Sequence, residues 1–499
     1  MRANQPHIGP LLAPELRGVL GDWRRGSGAL RDRLTASLRE GIESGDLVPG
    51  LRLPPERTLA AQLGVGRGTV VAAYEALRER GLLERRQGSG TVVRSEVGAL
   101  ASARAAELAT ALQRNLLFRG LDPEGGGGID LVGTHGPASP EVREALVAAA
   151  AGLDLGALSA HHGYHPFGYP PLRRAVAAHL TGLGLPSSEE EVLITGGAQQ
   201  AISVLATCLV EPGAVVVVED PTFPGAIDAF RTAGARVITV PVRSDGVDLD
   251  ALAGTLAEHP VRAVYLMPTF HNPMGCVLPE AGRRRLAALA RAHDVPVIED
   301  GALSELSLGD PPPPPLAVHA GRAPLVSVGS MSKLFWGGLR IGWIRGPRPM
   351  ITHLGRVKAV ADLGSSIPSQ VIAAGLIGRA AEVRAARCAE LRTNLDLLGD
   401  LLARHLPGWT WRRPEGGVSL WVRLPSGSAS ELAAVAAIHG LAIVPGPVMS
   451  ARGSFDDHLR LPLTRDAATL REGVDRLARA WHELDAADND RSQRFQIVV

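Results

Sequence analysis

Near its start the chain repeats an apolar residue every fourth position, in the stretch GALRDRLTASLREGIESG. These apolar positions are Leu30, Leu34, Leu38 and Ile42. The spacing puts them on one face, which predicts an amphipathic helix. A shorter helix is predicted over ERTLAAQLG, because the prolines Pro54 and Pro55 suit a helix start and Gly64 suits its end.

A third helix and a hairpin follow. The stretch VGRGTVVAAYEALRERG places Val70, Tyr74 and Leu77 on one side and closes at Gly81. LLERRQGSGTVVR then contains two short extended runs around Gly-Ser-Gly, which is typical of a β-hairpin. Three helices and a hairpin outline a winged helix-turn-helix, whose third helix enters the DNA major groove. The alternative is a three-helix adaptor with a solvated arginine face.

From residue 129 to about 485, apolar runs alternate with helix-length segments. The runs are AVVVVED, ARVITVPV, VRAVYLMP, VPVIEDG, LVSVGS and IGWIRG. This alternation predicts an α/β domain with a mainly parallel sheet that helices cover on both faces. Ligands of such sheets bind at the carboxyl ends of the strands, so the residues after each run are the candidate site.

The composition changes between these two patterns. EVGALASARAAELATALQRNLL is alanine-rich and helix-prone, and RGLDPEGGGG is a flexible break. We therefore divide the chain into a winged helix-turn-helix with its N-terminal extension (1–94), a linker (95–128), the α/β domain (129–485) and a tail (486–499). The five-proline run from Pro311 is expected to form a surface loop.

The charge is unevenly distributed along the 499 residues. The net charge is +1, yet residues 1–95 hold 15 arginines against 10 acidic residues. A polyanionic partner for the first part alone is consistent with this asymmetry. No apolar run reaches the length of about 20 residues that a membrane span needs, and the first residues lack a signal-peptide core. We expect a cytoplasmic protein without a metal site, since the three cysteines have no metal-ligand spacing.

Lysine is almost absent from the chain. Lys333, in SVGSMSKLFWGGLRIGW, is one of two lysines, and Lys358 is the other. Arginine replaces lysine in charge and phosphate contacts but not as an amine nucleophile, because its guanidinium stays protonated. Retention of Lys333 therefore suggests covalent binding of a carbonyl compound.

Each remaining motif has both a chemical and an ordinary structural interpretation. TGGAQQ offers backbone N–H groups to a phosphate, or is a tight turn. Phe223 in EDPTFPG stacks on a flat ring or is a half-buried loop aromatic. Asn272 in HNPMG contacts a ligand or forms a turn, and Asp300 in VIEDG is a site carboxylate or a helix cap. Arg460, inside the apolar strand HLRLPLT, requires a carboxylate from the protein or from a ligand.

In this order the motifs meet the requirements of a pyridoxal 5'-phosphate (PLP) site. Such a site needs an amine for a Schiff base, a phosphate cup, and a carboxylate beside the ring nitrogen. It also needs a donor near the ring hydroxyl, an aromatic face, and an arginine for the carboxylate of an amino acid.

The first part, GDLVPGLRLPPERTLAAQLGVGRGTVVAAYEALRERGLLERRQGSGTVV, resembles the DNA-binding domain of the GntR family over its full length. The resemblance implies DNA contacts from Arg57, Arg67 and Thr69, with Gly90 at the tip of the wing. Pro55 and Gly66 stand where that family has serine. Glycine is a weaker N-cap and removes a hydroxyl, so we expect weakened DNA binding rather than its loss.

The α/β part resembles the fold-type I aminotransferases through TGGAQQ, DPTFPG, HNPMG, EDG, SMSK…GGLRIGW and LRL. The resemblance implies a smaller C-terminal α+β subdomain and a Schiff base (internal aldimine) between Lys333 and PLP. It implies that Asp300 pairs with the pyridine nitrogen, Asn272 bonds the ring hydroxyl and Phe223 stacks on the ring. The residues assigned to the phosphate are Ala198 and Gln199 (through backbone N–H), Ser330 and Arg340. Arg460 is assigned to the carboxylate of the substrate or effector.

Two positions of this part need comment. Ala302 and Leu303 follow Asp300 where that family has a tyrosine, so the hydroxyl that bonds the ring oxygen is absent and turnover is in question. Tyr164 either reaches the phosphate site of a partner subunit or is a core residue.

The two parts on one chain resemble the MocR subfamily of transcriptional regulators. The resemblance implies a head-to-tail homodimer that binds a double-stranded DNA operator and senses PLP or an amino compound through aldimine exchange at Lys333. Engagement of Arg460 would then bias the DNA-binding domains between two arrangements. Two alternatives stay open. One is an active aminotransferase with an accessory DNA-binding module, and the other is a DNA-binding protein with a cofactor-free body.

Overall fold

The computed structural model describes residues 23, 29–43, 47, 51, 53–80, 82–86, 90–93, 128–160 and 162–496. The chain divides into two compact units, Met1–Arg114 and Asn115–Val499. Apart from residue 128, the predicted linker lies outside the described residues, as does Gly81. Each unit is described by itself.

The first unit consists of three helices and a hairpin. Its elements are α1 (Leu30–Glu43), α2 (Glu56–Leu63), α3 (Arg67–Glu79), β1 (Leu83–Arg86) and β2 (Gly90–Val93). The two strands are antiparallel, with Arg86 opposite Gly90. Pro55 is the N-cap of α2, and Gly64 ends that helix in the left-handed conformation (φ 63°) that glycine adopts without strain. The predicted winged helix-turn-helix is confirmed.

The predicted apolar faces form the core of this unit. Val70, Tyr74 and Leu77 of α3 are buried against Leu34 and Leu38 of α1. The hydroxyl of Tyr74 donates a 2.9 Å hydrogen bond to the backbone oxygen of Pro54, which ties α3 to the start of α2. Leu30 is the exception, because it lies at the first turn of α1 and is 41% exposed.

The second unit alternates strands and helices over most of its length. Its strands are β3 (Ile129–Asp130), β4 (Val192–Thr195), β5 (Val215–Asp220), β6 (Arg236–Arg243), β7 (Gly246–Val247), β8 (Val261–Leu266), β9 (Val297–Asp300), β10 (Leu325–Ser330), β11 (Gly342–Arg345), β12 (Thr410–Trp411), β13 (Ser419–Arg423), β14 (Leu441–Ala442), β15 (Val444–Pro445) and β16 (His458–Pro462). Its helices are α4 (Pro140–Ala151), α5 (Leu155–Ser159), α6 (Pro170–Gly182), α7 (Ala198–Leu209), α8 (Pro224–Thr232), α9 (Leu249–Glu258), α10 (Glu280–His293), α11 (Arg348–Asp362), α12 (Ile367–Ile377), α13 (Ala380–His405), α14 (Ala429–Ile438) and α15 (Ala467–Gln496).

The main sheet has eight strands in the order β4-β11-β10-β9-β8-β5-β6-β7. The pairs from β10 to β6 are parallel, while β4, β11 and β7 are paired antiparallel. The side chains of β5 alternate between two cores, with Val216 and Val218 on one face and Val217 on the other. Helices therefore cover both faces, as predicted.

A smaller subdomain follows the main sheet. Its antiparallel sheet has the order β12-β13-β16-β15, and α13, α14 and α15 pack together beside it. The short strand β14 pairs in parallel with β3, which joins the two ends of the unit. The helix α15 continues to Gln496, so residues 486–496 of the assigned tail are helical. None of the described helices combines the length and the apolar character needed to cross a membrane.

Candidate functional site

The carboxyl ends of the parallel strands β9 and β10 lie side by side, and they carry the two central residues of the site. Asp300 is the last residue of β9 and pairs in register with Val328 of β10, two residues before that strand ends. Lys333 lies in the turn that follows β10. The sheet therefore brings the aspartate and the lysine to one edge, as strand order predicts.

The amine of Lys333 is held within the protein rather than extended into solvent. It donates hydrogen bonds to the hydroxyl (3.0 Å) and to the backbone oxygen (3.2 Å) of Thr134. Burial, followed by the positive charges of Arg460 and Arg465, lowers the pKa of Lys333 from 10.5 to about 7, against the opposing charge of Asp300. A large fraction of this amine is therefore neutral and nucleophilic near neutral pH.

The second lysine has a different environment. Lys358 in α11 is fully buried, and its amine makes a 2.8 Å ion pair with Asp362. The same carboxylate accepts hydrogen bonds from Gln200 and from the backbone of Gly364. Lys358 is thus paired inside a structural network, so of the two lysines it is Lys333 that offers an amine to a ligand.

The carboxylate of Asp300 is buried and held from two sides. Its Oδ2 accepts a 2.5 Å hydrogen bond from the hydroxyl of Tyr265, and its Oδ1 accepts one of 2.9 Å from the backbone of Ala302. The second contact is a local turn, and residues 301–306 form turns rather than a helix, so Asp300 is not the helix cap of the alternative interpretation. Burial raises the pKa of Asp300, while these hydrogen bonds lower it.

A cradle of backbone groups and one guanidinium lies at the start of α7. Gly197 caps that helix at φ 108°, and a Cβ there would lie 2.9 Å from Nη2 of Arg340. Arg340 donates a 2.5 Å hydrogen bond to the backbone oxygen of Gly196. Within the described residues its guanidinium has no carboxylate partner. Backbone N–H groups at a helix start attract anions, so the guanidinium and the helix start together suit an anionic group.

The other residues assigned to the phosphate adjoin this cradle. Ala198 and Gln199 are the first residues of α7. The side-chain amide of Gln199 donates a hydrogen bond of 2.8 Å to the backbone oxygen of Gly225, which ties α7 to the loop that holds Phe223. Ser330 ends β10 opposite Gly342, and its hydroxyl accepts from the backbone of Ser332.

Asn272 and Phe223 lie in the loops that follow β8 and β5. Asn272 is buried, and its side-chain oxygen has no hydrogen-bond partner. Phe223 is partly exposed at the N-cap of α8. Because β5, β8 and β9 are neighbours, these loops open at the same sheet edge as Asp300. The unpaired amide oxygen leaves a position for a polar ligand atom.

Arg460 is a buried cation without a protein counter-ion. Its side chain, in β16, is 1% exposed. Its Nη2 donates a hydrogen bond to the backbone oxygen of Val132, and its Nε has no hydrogen-bond partner within the described residues. In the part of the chain that the structure describes, no carboxylate lies within ion-pair distance of it, and burial lowers the pKa of its guanidinium to about 10. Since an uncompensated buried charge is costly, an anionic ligand group is the fitting partner.

Three residues of the site were not identified from the sequence. Thr134 and Tyr265 hold Lys333 and Asp300, and Arg465 pairs with Asp130 at 2.6 Å beside the amine. Tyr265 lies in a predicted strand, but an alternating apolar run does not reveal its partner. Thr134 and Arg465 belong to no motif that the sequence displays.

Two residues on which the sequence left questions are placed as follows. Leu303, three residues after Asp300, is buried in the apolar core, so no hydroxyl lies at the position where the resemblance to the aminotransferases implies a tyrosine. Tyr164 is 60% exposed, which excludes the core interpretation of that residue.

In the first unit, the residues predicted to contact DNA lie at the surface. Arg57 near the start of α2 and Arg67 at the start of α3 are exposed, and Thr69 is partly exposed. Gly66 caps α3 in an extended conformation, without a side-chain hydrogen bond. Gly90 begins the second strand of the hairpin.

Comparisons with known proteins divide the chain in the same way. Residues 133–477 match the class I and II aminotransferases, and residues 30–93 match the gntR family of bacterial regulatory proteins. The chain is 31% identical over 421 residues to the HTH-type transcriptional regulator YisV of Bacillus subtilis, covering 81% of this chain and 86% of that protein.

A second regulator and a solved aminotransferase structure are also similar to this chain. The probable rhizopine catabolism regulatory protein MocR of Rhizobium meliloti is 31% identical over 354 residues, covering 69% of this chain and 70% of that protein. The crystal structure of LysN, the α-aminoadipate aminotransferase of Thermus thermophilus, superposes with a TM-score of 0.69 and 32% identity, covering 76% of this chain and 97% of LysN. That structure is a complex with N-(5'-phosphopyridoxyl)-L-leucine.

Proposed function

Because this chain belongs to the MocR-type regulators, which join a gntR-family domain to a class I and II aminotransferase domain, we propose that it is a PLP-dependent, DNA-binding transcriptional regulator. Its second unit senses PLP, an amino compound or both at Lys333. We propose a cytoplasmic location, because the operator DNA of a bacterial regulator lies there.

The observation that carries this proposal is the contrast between the two lysines. Lys358 is paired with Asp362, whereas the hydrogen bonds of the Lys333 amine within the described residues go to neutral oxygens and its pKa is lowered to about 7. A chain that otherwise uses arginine thus keeps one amine in a form that attacks carbonyl carbon.

The residues around Lys333 fit PLP. When bound, PLP supplies an aldehyde carbon that amines attack and a pyridine ring that withdraws electrons. We assign the phosphate to the cradle formed by Ala198, Gln199, Ser330 and Arg340. Asp300 holds the ring nitrogen, Asn272 the ring hydroxyl and Phe223 the ring face. Two observations support this assignment: the buried side-chain oxygen of Asn272 has no hydrogen-bond partner, and within the described residues the guanidinium of Arg340 has no carboxylate partner.

The effector is an amine that carries a carboxylate. Arg460 is buried and has no carboxylate at ion-pair distance within the described residues, so it binds the carboxylate. A guanidinium holds a carboxylate with two parallel hydrogen bonds, which fixes the direction in which the effector's amine approaches. Thr134, by accepting from the amine of Lys333, keeps that amine oriented until it reacts.

The first unit binds operator DNA through Arg57, Arg67 and Thr69, with Gly90 in the wing. Two such units in a head-to-tail homodimer read two half-sites, since dimeric helix-turn-helix proteins bind half-sites related by their own symmetry. The effector controls DNA binding only through a difference in its affinity for the two arrangements of the protein.

Enzymatic turnover is the second candidate function. The complete set of Lys333, Asp300 and Arg460 favours it, while the apolar Leu303 in place of tyrosine weakens it. A panel of amino acids and keto acids separates the two functions. A regulator gives a spectral change on addition of an amino acid and a change in DNA affinity, without multiple turnovers. Sustained keto acid production with unchanged DNA affinity contradicts the regulator.

A further inference from the structure

Tyr265 lies behind the candidate site and has no exposed surface. It belongs to β8, where it pairs in register with Ile298 of the neighbouring parallel strand β9. Asp300 is two residues beyond Ile298, so the side chains of Tyr265 and Asp300 point to the same face of the sheet. The hydroxyl of Tyr265 lies 2.5 Å from Oδ2 of Asp300.

The phenol is held so that it can act only as a donor. The ring of Phe230 packs edge-on against it, with centroids 6.0 Å apart. Burial, and then the adjacent Asp300, raise the pKa of Tyr265 well above its ordinary value, so the hydroxyl keeps its proton. A short hydrogen bond from a neutral hydroxyl to a carboxylate is among the stronger kinds, and it favours the ionised carboxylate.

The surroundings of Asp300 otherwise oppose ionisation. Glu219 in β5 and Glu299, the residue before Asp300 in β9, are buried and act against a further negative charge, while the amine of Lys333 is a basic group that interacts with Asp300. The backbone of Ala302 occupies one position on Oδ1. Because each carboxylate oxygen accepts two hydrogen bonds, both oxygens keep a position for a ligand.

We propose that Tyr265 is a positioning residue: its hydroxyl keeps Asp300 ionised and fixes the carboxylate toward the ring nitrogen of bound PLP. This inference rests on the proposed PLP site. Tyr265 itself does not touch the ring, and it acts through Asp300. Without the hydroxyl of Tyr265, the carboxylate of Asp300 competes for the proton of the ring nitrogen, and the ring loses its positive charge more easily.

The test uses full-length protein loaded with PLP that is ¹⁵N-labelled at the ring nitrogen, whose NMR shift reports protonation directly. In the wild type the ring nitrogen should stay protonated through neutral pH. In Tyr265→Phe it should lose its proton at a pH lower by about one unit or more, as loss of a charge-assisted hydrogen bond predicts. PLP should also bind about tenfold more weakly.

The controls separate a positioning role from a structural one. Tyr74→Phe removes the hydroxyl of another buried tyrosine, which donates to a backbone oxygen in the first unit, and should change nothing at the ring. In an Asp300→Asn background, Tyr265→Phe should add no further shift, because the partner of the hydroxyl is gone. Tyr265→Leu provides a second variant without the hydroxyl, and thermal unfolding checks that each variant is folded.

The outcomes distinguish this inference from the proposed function. If the wild type does not bind labelled PLP, the proposed function fails. If the wild type binds PLP with a protonated ring nitrogen and Tyr265→Phe titrates identically, the role of Tyr265 alone is overturned. A shift that persists in the Asp300→Asn background also overturns it, since the effect then does not pass through Asp300.

Discussion

The amine of Lys333 donates to both the hydroxyl and the backbone oxygen of Thr134, at 3.0 and 3.2 Å. Thr134 follows β3 near the start of the second unit, whereas Lys333 follows β10. The contact therefore joins distant parts of the chain, and both acceptors that it provides for the amine are neutral oxygens. This arrangement suits an amine that must be uncharged in order to react.

The pH dependence of PLP attachment tests the environment of Lys333. The neutral amine is the nucleophile, and its pKa is lowered to about 7. The attachment rate should therefore rise about tenfold per pH unit below pH 7 and level off above it. Stopped-flow absorbance after mixing cofactor-free protein with PLP measures this rate. A rate that keeps rising towards pH 10 would show an ordinary lysine.

Arg460→Gln should change two properties of the site. The positive charge of Arg460 helps to lower the pKa of Lys333, so its removal should move the midpoint of the attachment profile to higher pH. L-leucine and 3-methylbutylamine serve as a probe pair that differs only in the carboxylate, and the variant should lose about tenfold or more of the preference for the probe that carries it. Half-saturating concentrations from the visible spectrum give this ratio.

Arg423→Gln is the matched control for that experiment. Arg423 lies in the adjacent strand β13, is exposed, and pairs with Asp457 at 2.9 Å. Its replacement should leave the pH midpoint and the preference for the carboxylate-bearing probe unchanged. Equal behaviour of the two variants would contradict a specific carboxylate site at Arg460.

Arg67→Ala tests the DNA-binding surface. Arg67 is exposed at the start of α3, where the resemblance to the GntR family places a DNA contact. Affinity for a non-specific duplex should fall, and the slope of log K against log salt should decrease by about one, if the residue contacts one phosphate. Arg80→Ala, at the other end of the same helix, should keep the wild-type slope. The PLP spectrum should be unchanged in both variants.

Gly66→Ser and Gly66→Ala test whether a capping side chain at the N-cap position of α3 stabilises the protein. Nothing lies within 4 Å of a Cβ built at Gly66, and its backbone is extended, so both side chains fit. Serine supplies a capping hydroxyl and alanine does not, so the serine variant should be more stable than the alanine variant by about 1 kcal/mol. Denaturant unfolding of the two proteins measures the difference. No difference would mean that α3 needs no cap.

Much of the fold could be predicted from periodicity. Strand-forming runs and amphipathic helices are local properties, so β5, β8, β9, β10 and the three helices of the first unit were all predicted. The motifs also located Lys333, Asp300 and Arg460, because strand ends in parallel sheets converge.

The partners of these residues could not be predicted. Tyr265 reaches Asp300 only through the register of β8 against β9, and that register depends on the packing of the whole sheet. Likewise, the segment of Thr134 is brought to the site by a two-residue pairing of β3 with β14. Contacts between residues so far apart in the sequence produce no motif or periodicity from which they could be predicted.

Borohydride reduction of the PLP-loaded protein, followed by peptide mass mapping, tests the central claim most directly. The account predicts one pyridoxyl adduct, on the peptide that contains Lys333, which is lost in Lys333→Ala and retained in Lys358→Ala. An adduct on Lys358, or no adduct in protein that is saturated with PLP, would contradict it.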